Sequence, residues 1–500
     1  MMRKITFTII GKLMILCLVF MSCSSKERFG GISIRTRYIP PHINTSFQTL
    51  TLPSGSDKVI ISITGTDFKP IVQEFSVASH PSGATIGSIP AGENRNVGIA
   101  IEDSHGAVLA KGKTTGVVIH AGSVNAVDIL ITQVGVFTQL NAKVLPRAFA
   151  VSSILPDNRY LIIGGMTNRQ SSCGSGCVQL AATRSTEIYD PGTGTFVAGP
   201  DMKEPRVFFS AAALADGSIV VLGGSDIVQV SCAMNACSFS IPVNHAKNSI
   251  EVYDPASQSF YKAQSLAIAR AGHTANRVGD NTLLVAGGTG SSGPLATAEL
   301  IDIKTGNNVL LPMSAARAFQ ISIAYRDDEL FLAGGTVDAG QSEFFHAAVF
   351  SPSYTITYPN YFPSSVFLES MGIAVLNGGI DADEQPVTSF LIVDPVKSIV
   401  LSYHSMPVPK AFFSDVVLDD GNIMIAGGIT TADFKVSDST EIFNPTVKSF
   451  MQNRVLSSAR AGYAAQGLQN GSALVVSGFS NINPSAGDMV FLDSAELYNP

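Results

Sequence analysis

The sequence predicts an all-β protein in two parts, a small β-sandwich followed by a long repeat of four-stranded units. Three observations predict it. Short apolar runs alternate with Gly, Pro, Asn and Ser clusters, the pattern of strands separated by turns. The chain holds 45 glycines and is 45 % hydrophobic, a turn-rich globular composition. Glycine doublets recur at the ends of apolar strands from residue 164 onward, which marks an internal repeat. Charged residues make up only 14 % and the net charge is −7. No basic block is present, and that excludes nucleic acid as a partner, because phosphate binding needs clustered Lys and Arg.

The N-terminus reads as a leader, residues 1–22. Arg3, Lys4 and Lys12 surround an apolar run, Leu13 to Met21. That run is too short to span a bilayer, which takes about 20 apolar residues. The segment Phe20-Met21-Ser22-Cys23 resembles the lipobox of bacterial lipoproteins, with Phe20 where Leu is usual. The resemblance implies cleavage before Cys23, acylation of Cys23, and anchoring of an exported protein at the outer membrane or cell surface. Several acyl chains hold where one does not. An ordinary secretory signal with an incidental Cys is the alternative. Residues 23–29 then form a tether.

Residues 30–134 read as short alternating strands, among them Lys58 to Thr64, Asn96 to Glu102 and Ala126 to Thr132. No helix-period stretch stands out. The expectation is an immunoglobulin- or transthyretin-like sandwich acting as a spacer.

From residue 135 to Pro500 three elements recur in one order. The first is a basic residue: Arg147, Arg206, Arg270, Arg317, Lys410 and Arg460 each stand 17 residues before the first residue of a doublet. The doublets are Gly164-Gly165, Gly223-Gly224, Gly287-Gly288, Gly334-Gly335, Gly427-Gly428 and the degenerate Ser477-Gly478. The same count from Gly378-Gly379 lands on Tyr361, so seven units result. The third element is a strand such as Thr186-Glu-Ile-Tyr-Asp-Pro191 or Ile250-Glu-Val-Tyr-Asp-Pro255. In units four and five it is read as Ala347 to Pro352 and Phe390 to Pro395. The last unit stops after this strand, and Gly135 to Leu140 looks like its missing fourth strand. One strand from the start then closes the ring and removes an exposed edge. By this reading the chain is complete at Pro500.

This order resembles the kelch repeat, which is roughly 50 residues long. Phe196, Phe260 and Phe450 stand where that family usually has Trp, a residue this chain lacks. The resemblance implies a seven-bladed kelch-type β-propeller of the galactose-oxidase-like class. It also implies that the basic residues stand near one face of the central channel, where kelch proteins that bind acidic peptides contact their ligands.

Two readings of Arg147, Arg206, Arg270, Arg317, Lys410 and Arg460 compete. They are candidate ligand-binding cations, able to grip carboxylates or phosphates. They are also candidate partners of Glu187, Glu251, Glu299, Glu441 and Glu496, which recur at one position of the third element in five units, two residues before an aromatic or, for Glu299, before Ile301. Units four and five carry Ala348 and Leu391 there, so Arg317 is expected to lack an acidic partner and to face a ligand. Cys173, Cys177, Cys232 and Cys237 fall in the long segments between second and third strands. In an exported chain they imply disulfides, Cys173–Cys177 and Cys232–Cys237 or cross-links between the segments, with a four-Cys zinc site as the remaining option.

The galactose-oxidase family needs Tyr and His copper ligands and a Cys joined to a Tyr. Here the corresponding stretch reads Arg270-Ala-Gly-His273, with Gly272 in place of Tyr, and Tyr403-His404 lies toward an outer strand. No nucleophile elbow, metalloprotease motif or phosphate loop is present. Asp381, Asp383 and Glu384 read as a solvated acidic turn. The sequence therefore points to a monomeric, lipid-anchored surface protein without cofactor or metal. It is expected to bind a protein, peptide or glycan through its long inter-strand segments. A galactose-oxidase-like or other carbohydrate-active enzyme is the alternative.

Overall fold

The computed structural model describes residues 29–39, 52–77, 84–233, 236–335, 340–483 and 488–500. The leader and Cys23 lie outside them. The described residues form strands and turns, with no α-helix.

The N-terminal part has seven strands: β1 (Phe29–Ile39), β2 (Ser56–Gly65), β3 (Phe68–Ser76), β4 (Ala84–Pro90), β5 (Gly92–Asp103), β6 (Val108–Ile119) and β7 (Val124–Gln133). Period-2 alternation puts Ile61, Ile63, Val97, Ile99, Ile101, Val127, Ile129 and Ile131 on one buried face. Two separate sheets are expected from the sequence; the structure instead joins all seven in one, ordered β3-β2-β5-β6-β7-β1-β4. The cause is β1. It pairs parallel with β7 along one edge and antiparallel with β4 along the other.

From residue 137 onward the described residues form seven antiparallel units of four strands. The first is Val151–Ile154, Tyr160–Ile163, Thr186–Asp190 and Thr195–Ala198. The third carries an additional two-residue strand, Thr289–Gly290. In the last unit, Ala464–Gly467, Ala473–Val476 and Ala495–Tyr498 are completed by β8 (Phe137–Gln139), which pairs with Ala495–Tyr498. Each first strand packs beside the first strand of the next unit, and the last returns to the first. The seven sheets therefore form a closed circuit around an axis. Second strands such as Ile219–Leu222 and Ile423–Ala426 are buried on both faces, because each is covered by the neighbouring sheets.

The doublets terminate these strands. Gly165 has φ +99°, and a Cβ there would sit 2.6 Å from Ala148 O. Ser477 holds the same left-handed conformation at φ 57° in the degenerate doublet.

The N-terminal sheet packs against the turns at one end of the strands. Leu130 shares a cluster with Tyr160 and Tyr189. Asn499 Nδ2 donates to Lys111 O at 2.9 Å and to Thr132 Oγ1 at 3.1 Å. The doublets and the long segments lie at the other end.

Candidate functional site

Six basic residues do the same job in six units. Each is fully buried, 0 % exposed. Each donates to the carbonyl of its own doublet: Arg147 to Gly164 at 3.0 Å, Arg206 to Gly223 at 2.7 Å, Arg270 to Gly287 at 2.7 Å, Arg317 to Gly334 at 3.0 Å, Lys410 to Gly427 at 2.7 Å and Arg460 to Ser477 at 2.9 Å. Each also meets a carboxylate: Glu187 at 3.1 Å, Glu251 at 3.0 Å, Glu299 at 2.7 Å, Glu343 at 2.7 Å, Glu441 at 3.1 Å and Glu496 at 2.5 Å. In five units the same carboxylate accepts a backbone N–H from the incoming chain, as Glu299 does from Ala267 at 2.6 Å and Glu496 from Ser457 at 2.7 Å. Burial lowers the pKa of Lys410, and Glu441 opposes that shift. These side chains clamp three pieces of backbone together inside each unit.

Three expectations are corrected here. Arg317 is not a free, ligand-facing cation: it is buried against Glu343. The third strand of the fourth unit is Gln341–His346, and Ala347 to Pro352 is its turn and the start of the fourth strand. Ala347 and Ala348 both have positive φ, which turns the chain one strand earlier than the motif suggests. In the fifth unit the counterpart of Arg is not Tyr361 but Asn360. Asn360 Nδ2 and Tyr358 Oη both donate to Gly378 O, at 3.1 and 2.8 Å. More broadly, none of the six cations is presented to a ligand on this face.

What lies on the axis is apolar. Two residues after each clamp position stand Phe149, Phe208, Gly272, Phe319, Phe362, Phe412 and Gly462. All seven have φ between 51° and 63°. Left-handed backbone costs a non-glycine residue about 1 kcal/mol, and a belt of hydrogen bonds holds it. Gly272 N donates to Phe208 O, Phe319 N to Gly272 O and Gly462 N to Phe412 O, each at 2.7 Å. The five rings converge: Phe149–Phe208 centroids lie 5.0 Å apart, Phe319–Phe362 4.2 Å and Phe362–Phe412 4.7 Å. The sequence reading missed this ring, although Arg147-Ala-Phe149, Arg317-Ala-Phe319 and Lys410-Ala-Phe412 display its signal.

The long segments of units one and two are not loops. They form two hairpins, Met166–Gly174 with Cys177–Ala182 and Ile227–Ala233 with Ala236–Ser240, joined as one four-stranded sheet. Cys173 is bonded to Cys177 and Cys232 to Cys237, so the zinc and cross-linked options fall away. Val178, Leu180, Val228 and Val230 point inward and pack with Phe208 and Phe412 in one cluster. Phe239 sits 5.2 Å from Phe412, and Cys237 N donates to Ala432 O in the sixth unit at 2.8 Å. This sheet is a lid that reaches across the axis.

The outward row of the lid is Ser171, Gln179, Gln229 and Ser240, directly opposed across its four strands. Ser171 Oγ donates to Gln179 Oε1 at 2.9 Å, and Gln229 Nε2 donates to Ser231 Oγ at 3.2 Å. This row holds amides and hydroxyls only. The charged cluster of the second unit lies off it, where Asp226 contacts His245 at 2.7 Å and Lys247 at 3.3 Å.

The other candidates are structural. His273 is buried, and its Cε1 fills the space a Cβ at Gly223 would enter, as Phe209 does at Gly164. Burial, and then Arg270 and Arg206, push its pKa down to about 3, so it is neutral. Tyr403 and His404 lie on the outer strand Ile399–Lys410, away from the axis. Asp381 Oδ1 accepts from Asp383 N and Gln385 N in an exposed turn.

No protein family and no curated protein matches this chain. Among solved structures the architecture is similar to a fungal alcohol oxidase of the AA5 family in complex with copper. The TM-score is 0.54 at 15 % identity, covering 73 % of this chain and 76 % of that one. At that identity the likeness is one of fold: an all-β, galactose-oxidase-like architecture. Copper needs nitrogen, oxygen or sulfur ligands brought together. Here the axis carries phenylalanine rings, the four described cysteines are in disulfides, and the described residues hold no group of three His, Cys, Asp or Glu fit for a metal. The described residues do not fit a copper ion.

Proposed function

We propose that this chain is an exported binding protein, lipid-anchored through Cys23, whose seven-bladed kelch-type β-propeller carries a rigid recognition platform on its lid. The observation that carries the reading is the outer row of the lid. Ser171, Gln179, Gln229 and Ser240 form a polar, uncharged strip across four strands, pinned by two disulfides and seated on the phenylalanine ring. Amides and hydroxyls of this kind both donate and accept, which suits a neutral polyhydroxylated ligand such as a glycan better than an acidic peptide. Disulfides support export, since such bonds persist in oxidising compartments.

Binding of the soluble protein to a panel of neutral glycans tests this, with Gln179→Ala/Gln229→Ala as the paired variant. Loss of binding in the variant supports the platform. Unchanged binding, or binding only to acidic ligands, overturns it.

A second reading, an oxidase, is favoured by the fold it shares with a copper alcohol oxidase. Stoichiometric copper uptake with peroxide release from an alcohol would establish that reading in place of ours.

A further inference from the structure

The seven units align residue by residue, and two positions break the pattern at one junction. The residue just before the doublet is Ile163, Leu222, Ala286, Ala333, Ala426 or Val476 in six units; in the fifth it is Asn377. One first-strand position faces the residue two before the doublet. It is Ser152, Ala211, Ala275, Ser322, Ser365 or Ala465 in six units, and Asp415 in the sixth. These two departures meet. Asn377 Nδ2 donates to Asp415 Oδ2 at 2.9 Å across the junction of units five and six. Asn377 is fully buried. Asp415 is half-buried as a residue, but its Oδ1 is shielded from solvent. Asp415 Oδ1 and Asn377 Oδ1 are both buried acceptors with no hydrogen-bond partner.

Two orphaned oxygens on two side chains already in contact lack one thing, a proton between them. Asn377 cannot supply it from its oxygen; a carboxylic acid can. We propose that Asp415 is held as a neutral acid that donates its proton to Asn377 Oδ1, closing a two-bond acid–amide pair that makes this junction a pH-sensitive seam.

The surroundings agree. Ser364 Oγ, from the first strand of unit five, accepts from Asp415 N at 3.1 Å. Of the titratable groups nearby, Tyr358 and Tyr463 are pushed upward by burial and stay neutral. Lys410, on the same segment, is committed to Gly427 O, Ser439 and Glu441. Among the described residues no cation acts on Asp415, and burial raises its pKa to about 7 against the hydrogen bonds from Asn377 and Ser364. The sign follows. A carboxyl whose folded pKa exceeds its unfolded value near 3.8 contributes stability that is complete below that value. That contribution is lost as pH rises through about 7.

The test compares thermal midpoints of the whole protein and of Asp415→Asn from acid to mildly alkaline pH. The variant keeps an amide hydrogen for Asn377 Oδ1 at every pH. The expected result is a gap between the two proteins that shifts in the variant's favour as pH rises through about 7. Parallel curves overturn the proposal. Should the variant not fold, infrared spectra of the native protein decide. A protonated-carboxyl band that persists at mildly acid pH and converts to carboxylate near neutrality supports the pair. Its absence at mildly acid pH overturns it.

Discussion

Six units enter their first strand through a buried ion pair, and the fifth does so through neutral groups. In the six, Arg or Lys and a Glu disappear from water together. In the fifth, Asn360 and Tyr358 take over the donation to the doublet, and Leu391 occupies the place of the Glu. The comparison teaches that the pair is a module. The backbone demand, a donor for the doublet carbonyl, is present in all seven units. The charge is not required, but one partner without the other is costly, because a lone buried charge has nothing to replace its hydration.

The largest effects come from splitting the module. Asn360→Arg alone plants an unpaired cation in the neutral unit, and Glu343→Ala leaves Arg317 alone in a charged one. Each should destabilise by about 3–5 kcal/mol in denaturant unfolding, and Asn360→Arg/Leu391→Glu should recover much of the first loss. Failure of that recovery would break the idea of a module. Removing a whole pair should cost far less: Arg317→Met/Glu343→Leu should fall within about 1–2 kcal/mol of native by the same measurement. Between these lies the lid. Cys232→Ser/Cys237→Ser opens a short loop and should cost about 2 kcal/mol, seen first as faster amide exchange across Ile227–Ser240 with the ion-paired units unchanged. The smallest effect sharpens the contrast with Asp415. His273 has its pKa lowered to about 3, so its contribution is present above its unfolded value of 6.5 and is lost as pH falls. His273→Phe should remove that acid-side loss from the stability–pH curve while leaving the alkaline side unaltered.

Much of this was legible in the residues, and the failures have local causes. The 17-residue step from cation to doublet reports a fixed hairpin length. It works in six units and slips in the fifth, where the step from Asn360 is 18 because the turn is longer. Glu pairing was readable in the five units where the third strand was placed correctly, at Glu187, Glu251, Glu299, Glu441 and Glu496. It failed for Arg317 because Val349-Phe350-Ser351-Pro352 imitates the motif on the wrong strand. The phenylalanine ring stayed hidden for another reason. A left-handed Phe is an uncommon choice that the belt of backbone hydrogen bonds between units supports, and the hint was Gly272 and Gly462 at the same position. The lid could not be foreseen, since its sheet joins hairpins from two different units and so depends on the circuit already being formed.

The strand Phe137–Gln139 is made before any of the seven sheets, yet its partner, Ala495–Tyr498, is the third strand of the last of them. A polypeptide emerging N-terminus first must therefore carry its latch unengaged while six complete sheets accumulate behind it. Through that interval both rims of an open arc present unpaired backbone. The last contact is also the one with the greatest loop to close. Closure of the circuit thus waits for its last sheet, and a circuit lacking Ala495–Tyr498 would leave Phe137–Gln139 unpaired, prone to pairing with a neighbour.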